Sequence, residues 1–507
     1  MNRRLKQTLE RLKGQFVALA GICMLMALVT MFAVSQSFQR AADDLNTINA
    51  GSIPSVKSAQ EMAQYLANID AQAADFIATG GDLTDLKPCL VVGSKVNPGP
   101  QTVHKCDDLN ISAETELANK ALFDAAHNVT YPGEQTAIER ITAGFEEYTG
   151  AITEMRDQYA LASHIDPHDV HIQGADLAYL SADHTLRVSI KQQPILDKAG
   201  NPVYNEATVP PCTVDSVTGT QTYQANNWVM GSLEQNIDCL NSINKLHLDQ
   251  AYGDSESFLG GTTLLVEALC TFFCLLLAFT VVRLMWYSHR RINVVTLALI
   301  AGLVYSFVVA GQFSGMAGQS SSKDAFRHGA FQQVVKDDFD SVYDTAQLRR
   351  YATDANADES RWLIALTFGN QASATDLSRD WQDNTQRVQT LLQRAQSNQT
   401  WSEEIKPLAA MQSSWASYIN IDRQIREAAY SDQLLNAEQI STGPSNDSFG
   451  KFLGAVNDLS KANQDHYDST LSWTQGVLMT EVVLSRVLFL LIGLVAVGGV
   501  TLRLRDF

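Results

Sequence analysis

The sequence predicts an all-α membrane protein with four transmembrane helices and two extracytoplasmic up-down four-helix bundles, the first carrying a small disulfide-bearing cap. Three observations predict it. Four apolar runs, 16–34, 262–285, 292–310 and 482–502, are each long enough to cross a hydrocarbon core of roughly 30 Å as a helix. Between them lie polar stretches of about 225 and about 165 residues and one short basic turn. Within the polar stretches, apolar residues recur at steps of three and four, the spacing of one buried helical face.

Taken in order, residues 1–15 form a basic tail and 16–36 the first span. That span's apolar core exceeds the h-region of a signal peptide, so an uncleaved anchor is expected. The first polar domain is 37–260. Its leading helix carries the stripe Leu45, Ile48, Val56, Ala59, Ala63, Leu66, Ile69, Ala73 and Phe76, should kink at Gly51 and Pro54, and ends at Gly80-Gly81. Helices follow at 113–127, 134–163, 168–192 and 227–260. Segments 86–105 and 194–226, rich in Pro, Gly, Val and Thr, could hold short hairpins, and loops 81–112 and 194–226 should meet at the membrane-distal tip as the cap. The second span is 261–286, a turn occupies 287–291, and the third span is 292–312. The second polar domain, 313–479, opens on Phe331, Val335, Phe339, Val342, Ala346, Trp362 and Leu363, and continues with helices at 374–397, 402–436 and 448–479. Capping signals are Thr400 with Glu403, Ser373 with Asp376, and Asp166 before Pro167. A fourth span, 480–502, and a tail, 503–507, close the chain.

Charge sets the orientation. Arg3, Arg4, Lys6, Arg11 and Lys13, then Arg283, Arg290 and Arg291, then Arg503 and Arg505 all fall on one side of four spans, so both termini and the 287–291 turn are expected in the cytoplasm. The rest of the chain carries 27 basic against 53 acidic residues. Such a surface disfavours nucleic acid and bare anionic lipid.

Of seven cysteines, Cys23, Cys270 and Cys274 lie in spans and read as packing residues. Cys89, Cys106, Cys212 and Cys239 share the first polar domain, where an even number in an exported segment points to disulfides. Four cysteines allow three pairings; Cys89–Cys106 and Cys212–Cys239 are favoured because each pair brackets one loop.

Few residues suggest a site. His164, Asp166, His168 and His171 are metal-capable at helical spacing, against the plainer reading of a turn and helix start placed near the membrane. Glu267 and Arg486 lie at matching depths in spans two and four, either as an interhelical pair or each snorkelling to the interface. Ala298, Gly302, Ser306 and Ala310 form a ladder of small side chains suited to close helix packing, with a looser one at Gly493, Ala496 and Gly499. Arg349 and Arg350 could hold a carboxylate ligand, against the plainer reading of surface ion pairs. Asn110, Asn128, Asn398 and Asn446 stand in glycosylation sequons. The remaining acids read as solvated charge along helix faces. No phosphate loop, HExxH or zinc-finger spacing is present, so neither an enzyme nor a cofactor is expected.

The two halves read as a duplication: Ala59-Gln60 and Tyr65 parallel Ala346-Gln347 and Tyr351, Ile243-Asn244 and Leu246 parallel Val456-Asn457 and Leu459, Tyr252 parallels Tyr467, and Glu267 parallels Glu481. A basic tail, a span continuing into a helix kinked at Ile53-Pro54, and a bundle returning to a second span resemble the four-helix-bundle sensor domains of methyl-accepting chemotaxis receptors and sensor kinases. The chain departs from them in having only Tyr287 to Arg291 and Asp506-Phe507 where they continue into a HAMP linker and an output domain. In topology it is also similar to actinobacterial four-span proteins that couple an extracytoplasmic solute-binding protein to a soluble Ser/Thr kinase. These resemblances imply a multi-pass receptor of the bacterial cytoplasmic membrane that relays a ligand or binding-protein signal to a separate cytoplasmic kinase or other effector, working as a homo- or hetero-oligomer. The competing expectation is a non-catalytic scaffold or accessory subunit of a larger membrane complex.

Overall fold

The computed structural model describes residues 3–78, 87–89, 91, 99–131, 133–162, 169–187, 190, 231–288, 294–316, 333–367 and 370–504. Nearly all of them are helical. Helix α1 is Arg3–Thr47, and a π-helical turn, Ile48–Ser52, joins it to α2, Ile53–Ala78. The turn sits where Gly51 and Pro54 were expected to kink the chain: proline lacks the N–H that an α-turn needs there, and the wider π-turn absorbs the mismatch. A two-residue antiparallel pair, β1 (Lys87–Pro88) with β2 (Pro100–Gln101), precedes α3 at Val103–His127. Next come α4 (Glu134–Leu161), α5 (Val170–Arg187), α6 (Leu233–Ser288) and α7 (Val294–Met316). A second π-turn, Gln333–Asp338, leads into α8, Phe339–Thr367; α9 (Gln371–Ser397), α10 (Ser402–Tyr430) and α11 (Leu434–Ile440) follow. A third π-turn, Ser441–Ser445, opens α12, Asn446–Leu504.

Four helices, α1, α6, α7 and α12, contain segments long and apolar enough to cross a membrane. The chain divides into two compact units. One comprises Met1–Ile48, Asp249–Asp338 and His466–Phe507; the other comprises Asn49–Leu248 and Phe339–Asp465. The first holds all four spans. Phe307, Leu264 and Leu275 point outward from it, as lipid-facing side chains do, while Phe273, Phe313 and Phe489 are fully buried.

In the second, polar unit both polar domains pack into one body. The first domain's core draws Leu66, Ile69 and Phe76 from α2, Ile111 and Leu122 from α3, Ile141 and Tyr148 from α4, Tyr179 from α5 and Leu240 from α6. Ile364 of α8 joins that same core. The second domain's core has two parts, one around Met411, Trp415, Tyr418 and Phe452, the other around Trp362, Leu377 and Ile425.

Several boundaries differ from expectation. Helix α3 begins ten residues earlier than the expected 113–127, because its first turns are anchored: Thr102 caps Lys105 N at 3.2 Å, and the His104 ring packs against both Phe76 and Tyr159. The expected helix 402–436 breaks after Tyr430, where Asp432 takes a left-handed conformation and Gln433 N reaches back to Ala428 O. Caps also shift by a few residues. Asn370 caps Ser373 N, Glu404 replaces Glu403, and Asp169 accepts from His171 N at 2.8 Å. Asp166 and Pro167 lie outside the described residues.

Residues 194–226, expected at the membrane-distal tip, and the turn after α4, residues 163–168, expected near the membrane, lie outside the described residues. Ile190 and Leu233 both line Gly144, in the first half of α4, where a Cβ would sit 2.6 Å from Ile190 Cδ1 and 3.3 Å from Leu233 Cδ1. Tyr159, near the end of α4, packs on Phe76 of α2.

One junction occurs twice. Between α3 and α4, Glu134 Oε2 accepts from Thr130 N (2.5 Å) and Tyr131 N (2.6 Å), and Thr130 Oγ1 donates to Asn128 O at 3.0 Å. Between α9 and α10, Glu404 Oε2 accepts from Thr400 N (2.8 Å) and Trp401 N (2.9 Å), and Thr400 Oγ1 donates to Asn398 O at 2.9 Å. The shared pattern, Asn-x-Thr-aromatic-x-x-Glu, uses two of the four sequons as helix ends.

Candidate functional site, a buried ionic seam

Helix α8 carries Thr353-Asp354-Ala355-Asn356-Ala357-Asp358-Glu359-Ser360-Arg361, a run polar enough to read as a solvated face. It is instead buried on every side from Ala355 to Ala365. Helices α2 and α9 flank it, and its charges are met by partners far away in sequence.

Arg361 is the hub. Its guanidinium lies 2.6 Å from Asp70 of α2, 2.9 Å from Asp183 of α5 and 2.8 Å from Asp358 of its own helix. Arg187 of α5 returns the contact, bonding Asp358 at 3.0 Å and Asp380 of α9 at 2.5 Å. Asn384 donates to the other Asp358 oxygen at 2.9 Å. About three turns from Arg361 along α8, Arg350 pairs with Asp238 of α6 and lies 3.8 Å from Asp354. Asp75 of α2 accepts from Ser360 (2.7 Å) and Asn446 of α12 (3.0 Å). Lys245 of α6 bonds Asp340 at 2.8 Å, and Asn241 donates to the Tyr343 hydroxyl at 2.8 Å. The seam thus ties together α2, α5, α6, α8, α9 and α12.

Acids outnumber bases along it, and burial disfavours the surplus charge. Asp70 is pushed up to about 6 by burial, Arg361 pulling it back and Asp183 adding to the rise. Glu234 rises to about 7, from burial first and Asp354 second. Asp354 rises to about 6, mainly from burial, against the pull of Arg350. Burial works against the charge on Arg361, yet Asp70 and Asp358 hold it protonated far above neutral pH. Nearby, Glu359 accepts from Ser441 (2.7 Å) and Ser445 (3.2 Å) of the third π-turn, and is raised to about 8 by burial and by Asp422.

Residues singled out from sequence fall as follows. Cys89–Cys106 is a disulfide with a Cα–Cα distance of 5.6 Å. Cys239 is also disulfide-bonded, while Cys212 lies outside the described residues. Cys23, Cys270 and Cys274 are free and buried. His164, Asp166 and His168 lie outside the described residues; His171 bonds Gln158 Oε1 at 3.0 Å, and no cluster of metal ligands occurs among the described residues.

Arg350 is not available to a ligand, since Asp238 and Asp354 occupy it and it is 6% exposed. Nor is it a surface residue. Arg349 donates to Asn457 Oδ1 at 2.7 Å, and to the Gln64 amide oxygen at 3.2 and 3.3 Å when that amide is turned toward it.

Among the spans, the Glu267–Arg486 pair does not form: Arg486 donates to Gln39 of α1 at 3.0 Å, and Glu267 is half-buried without it. The buried carboxylate that joins spans is Glu481, which accepts from Tyr305 (3.3 Å) and Gln312 (2.8 Å) of α7. The ladder does face inward. Ala298, Gly302 and Ser306 are buried and Ala310 is half-buried; a Cβ at Gly302 would meet Leu277 at 3.3 Å, and Ser306 Oγ lies 3.5 Å from Cys274 Sγ. Gly493 and Gly499 are tighter still, with a Cβ 2.8 Å from Ala27 and 2.7 Å from Val295 respectively.

The seam itself escaped sequence reasoning. One signal for it was the density of acids beside Arg350 and Arg361 on a helix that also bears Trp362 and Leu363. Compared with family models, curated proteins and solved structures, the chain matches none.

Proposed function

We propose that this is a multi-pass bacterial receptor of the cytoplasmic membrane, non-enzymatic and without a cofactor, in which a duplicated helical sensor senses an extracytoplasmic ligand or solute-binding protein. The observation that supports it most is the seam. Helices α2, α6, α8 and α12 all meet in it, and α6 and α12 continue without a break into spanning segments. A change in charge or packing at Arg361 or Arg350 is therefore shared by both halves at once. Small sliding of paired helices can carry such a change across a membrane. The basic tail, residues 3–13, and Arg290-Arg291 then form the cytoplasmic face read by a separate kinase or other effector, and the Cys89–Cys106 loop belongs to a distal cap. The recurring Asn-x-Thr-aromatic-x-x-Glu junction and the π-turns ahead of α2 and α8 support the duplication.

The test is gentle affinity purification from native membranes with cross-linking and mass spectrometry. A soluble effector cross-linked to residues 3–13 or to the 287–291 turn is expected. A fixed set of membrane subunits, with no soluble effector, would refute the receptor reading in favour of a scaffold.

A further inference from the structure

Apart from the seam, the second half encloses a cation between two tryptophans. Arg426 of α10 has its guanidinium carbon 4.6 Å from the ring centre of Trp362 and 4.6 Å from that of Trp381. Trp362 is 1% exposed and is backed by Tyr430, edge-on at 5.8 Å. Trp381 is fixed by its indole N–H, which donates to the Tyr418 hydroxyl at 3.5 Å. Two aromatic faces around one charge, with a carboxylate at the rim, is the arrangement that recognises ammonium and guanidinium ligands.

Arg426 fills this cage poorly. Its Nε donates to Asp422 Oδ2 at 2.9 Å and its Nη1 to Ser378 Oγ at 3.1 Å. Nη2 is buried with no partner, and so is Asp422 Oδ1, on a side chain only 2% exposed. A guanidinium facing a carboxylate normally uses both oxygens in a bidentate fork. The reason it does not is the tether: Asp422 and Arg426 are four apart on one helix, and the stem brings the fork in sideways. A buried carboxylate oxygen without a donor is costly. A cation free of the helix could approach both oxygens of Asp422 while keeping both ring faces. The Arg426 side chain that occupies the cage is itself 16% exposed.

We infer that the Trp362–Trp381–Asp422 cage is a binding site for a small guanidinium or amine ligand, and that Arg426 occupies it as a built-in competitor. This inference names a ligand class for the proposed receptor and rests on that reading only for its purpose, not for the binding. Ligand entry would expel Arg426 from between α8, α9 and α10.

Isothermal titration calorimetry of the full chain in lipid nanodiscs, with agmatine as the guanidinium probe and sodium chloride matched for ionic strength, tests it. Saturable one-site binding to the wild type is expected. Arg426→Ala should tighten it at least about tenfold, because a site open less than about a tenth of the time loses that factor in apparent affinity. Adding Asp422→Asn should abolish it. If Arg426→Ala loses its helical circular dichroism, Arg426→Gln keeps the stem and is read in the same way. No saturable binding to the wild type, unchanged affinity in the folded Arg426 variant, or binding that survives Asp422→Asn would each overturn the inference. Binding that leaves the cytoplasmic partners unchanged would keep this site and sink the receptor reading instead.

Discussion

Replacing Arg361 by Met should loosen the polar unit in a way that depends on pH. Met keeps most of the stem's apolar volume, so the loss is electrostatic. Asp358 keeps Arg187 and Asn384 after the change, and Asp183 is a quarter exposed. Asp70 is left with the Tyr179 hydroxyl at 3.4 Å while its side chain is 3% exposed. An uncompensated buried charge of this kind costs about 3–5 kcal/mol. That is the expected loss at pH 8. At pH 5 the Asp70 carboxyl, raised to about 6, is mostly neutral before the substitution is made. There the change removes hydrogen bonds but strands no charge, and about 1–3 kcal/mol should be lost. Native-state hydrogen exchange of α2 and α8 amides, corrected for intrinsic rates at the two pH values, reads the difference. Arg361→Met with Asp70→Asn should recover at least half of the pH 8 loss. Equal losses at both pH values, or a double variant in which the two losses simply add, would refute the assignment of Asp70 as the group that Arg361 neutralises.

The acids with raised values set a wider pH dependence. Asp70 and Asp354 at about 6, Glu234 and Glu114 at about 7 and Glu359 at about 8 all bind protons in the folded state that the unfolded chain has released. Their contribution is full below the ordinary carboxylate range and is lost as pH climbs through 6 to 8, so the polar unit should melt higher at pH 5.5 than at pH 8.5; the opposite order would contradict the protonated seam. Gly499→Ala should destabilise the span bundle by about 1–3 kcal/mol, since its Cβ would meet backbone at Val295 N, 2.9 Å away; Gly302→Ala meets only side-chain ends and should cost less, as detergent unfolding titrations would show. Glu481→Leu strands the Tyr305 hydroxyl and the Gln312 amide and should cost about 1–3 kcal/mol in the same titration, with Glu481→Gln milder because it keeps one acceptor. Opening the Cys89–Cys106 bridge, separation 17, by double serine substitution should cost about 3 kcal/mol by chain entropy, read as faster proteolysis near α3.

What the sequence revealed of this fold was whatever depends on nearby residues. The spans follow from runs of apolar side chains, the first π-turn from Gly51 and Pro54, and the small-residue ladder from its four-residue spacing. The Cys89–Cys106 bridge follows from proximity along the chain. The burial of helix α8 was hidden for the opposite reason. Its run from Thr353 to Arg361 has only alanines at Ala355 and Ala357 as apolar members, so its periodicity describes a wet surface. The partners that make it dry, Asp70, Asp183 and Arg187, stand 171 or more residues away. A buried ion pair is a property of two distant positions together, and neither position alone announces it. Glu267 and Arg486 show the converse: matched depth suggested a pair, but Gln39 lies nearer to Arg486 on the rotated helix face.

The proposed duplication gives this seam a physical reason to exist. Helices α2 and α8 follow their π-turns at Ile53 and Phe339, and Tyr65 parallels Tyr351, both with the same offset. By that offset the counterpart of Arg361 is Asp75, and the counterpart of Asp70 is Asn356. In a symmetric pair of identical chains each contact must recur with its roles exchanged. Here Arg361 meets Asp70, whereas Asp75 takes its bonds from Ser360 and Asn446. The Arg361–Asp70 contact is therefore one-sided, with the arginine on α8 and the acid on α2, and two identical helices could not repeat it without placing both residues on each. Joining the copies in one chain lifts that requirement. It also makes the two halves respond differently to the same proton or ligand, because Arg350 and Arg361 stand on α8 while α2 carries no arginine.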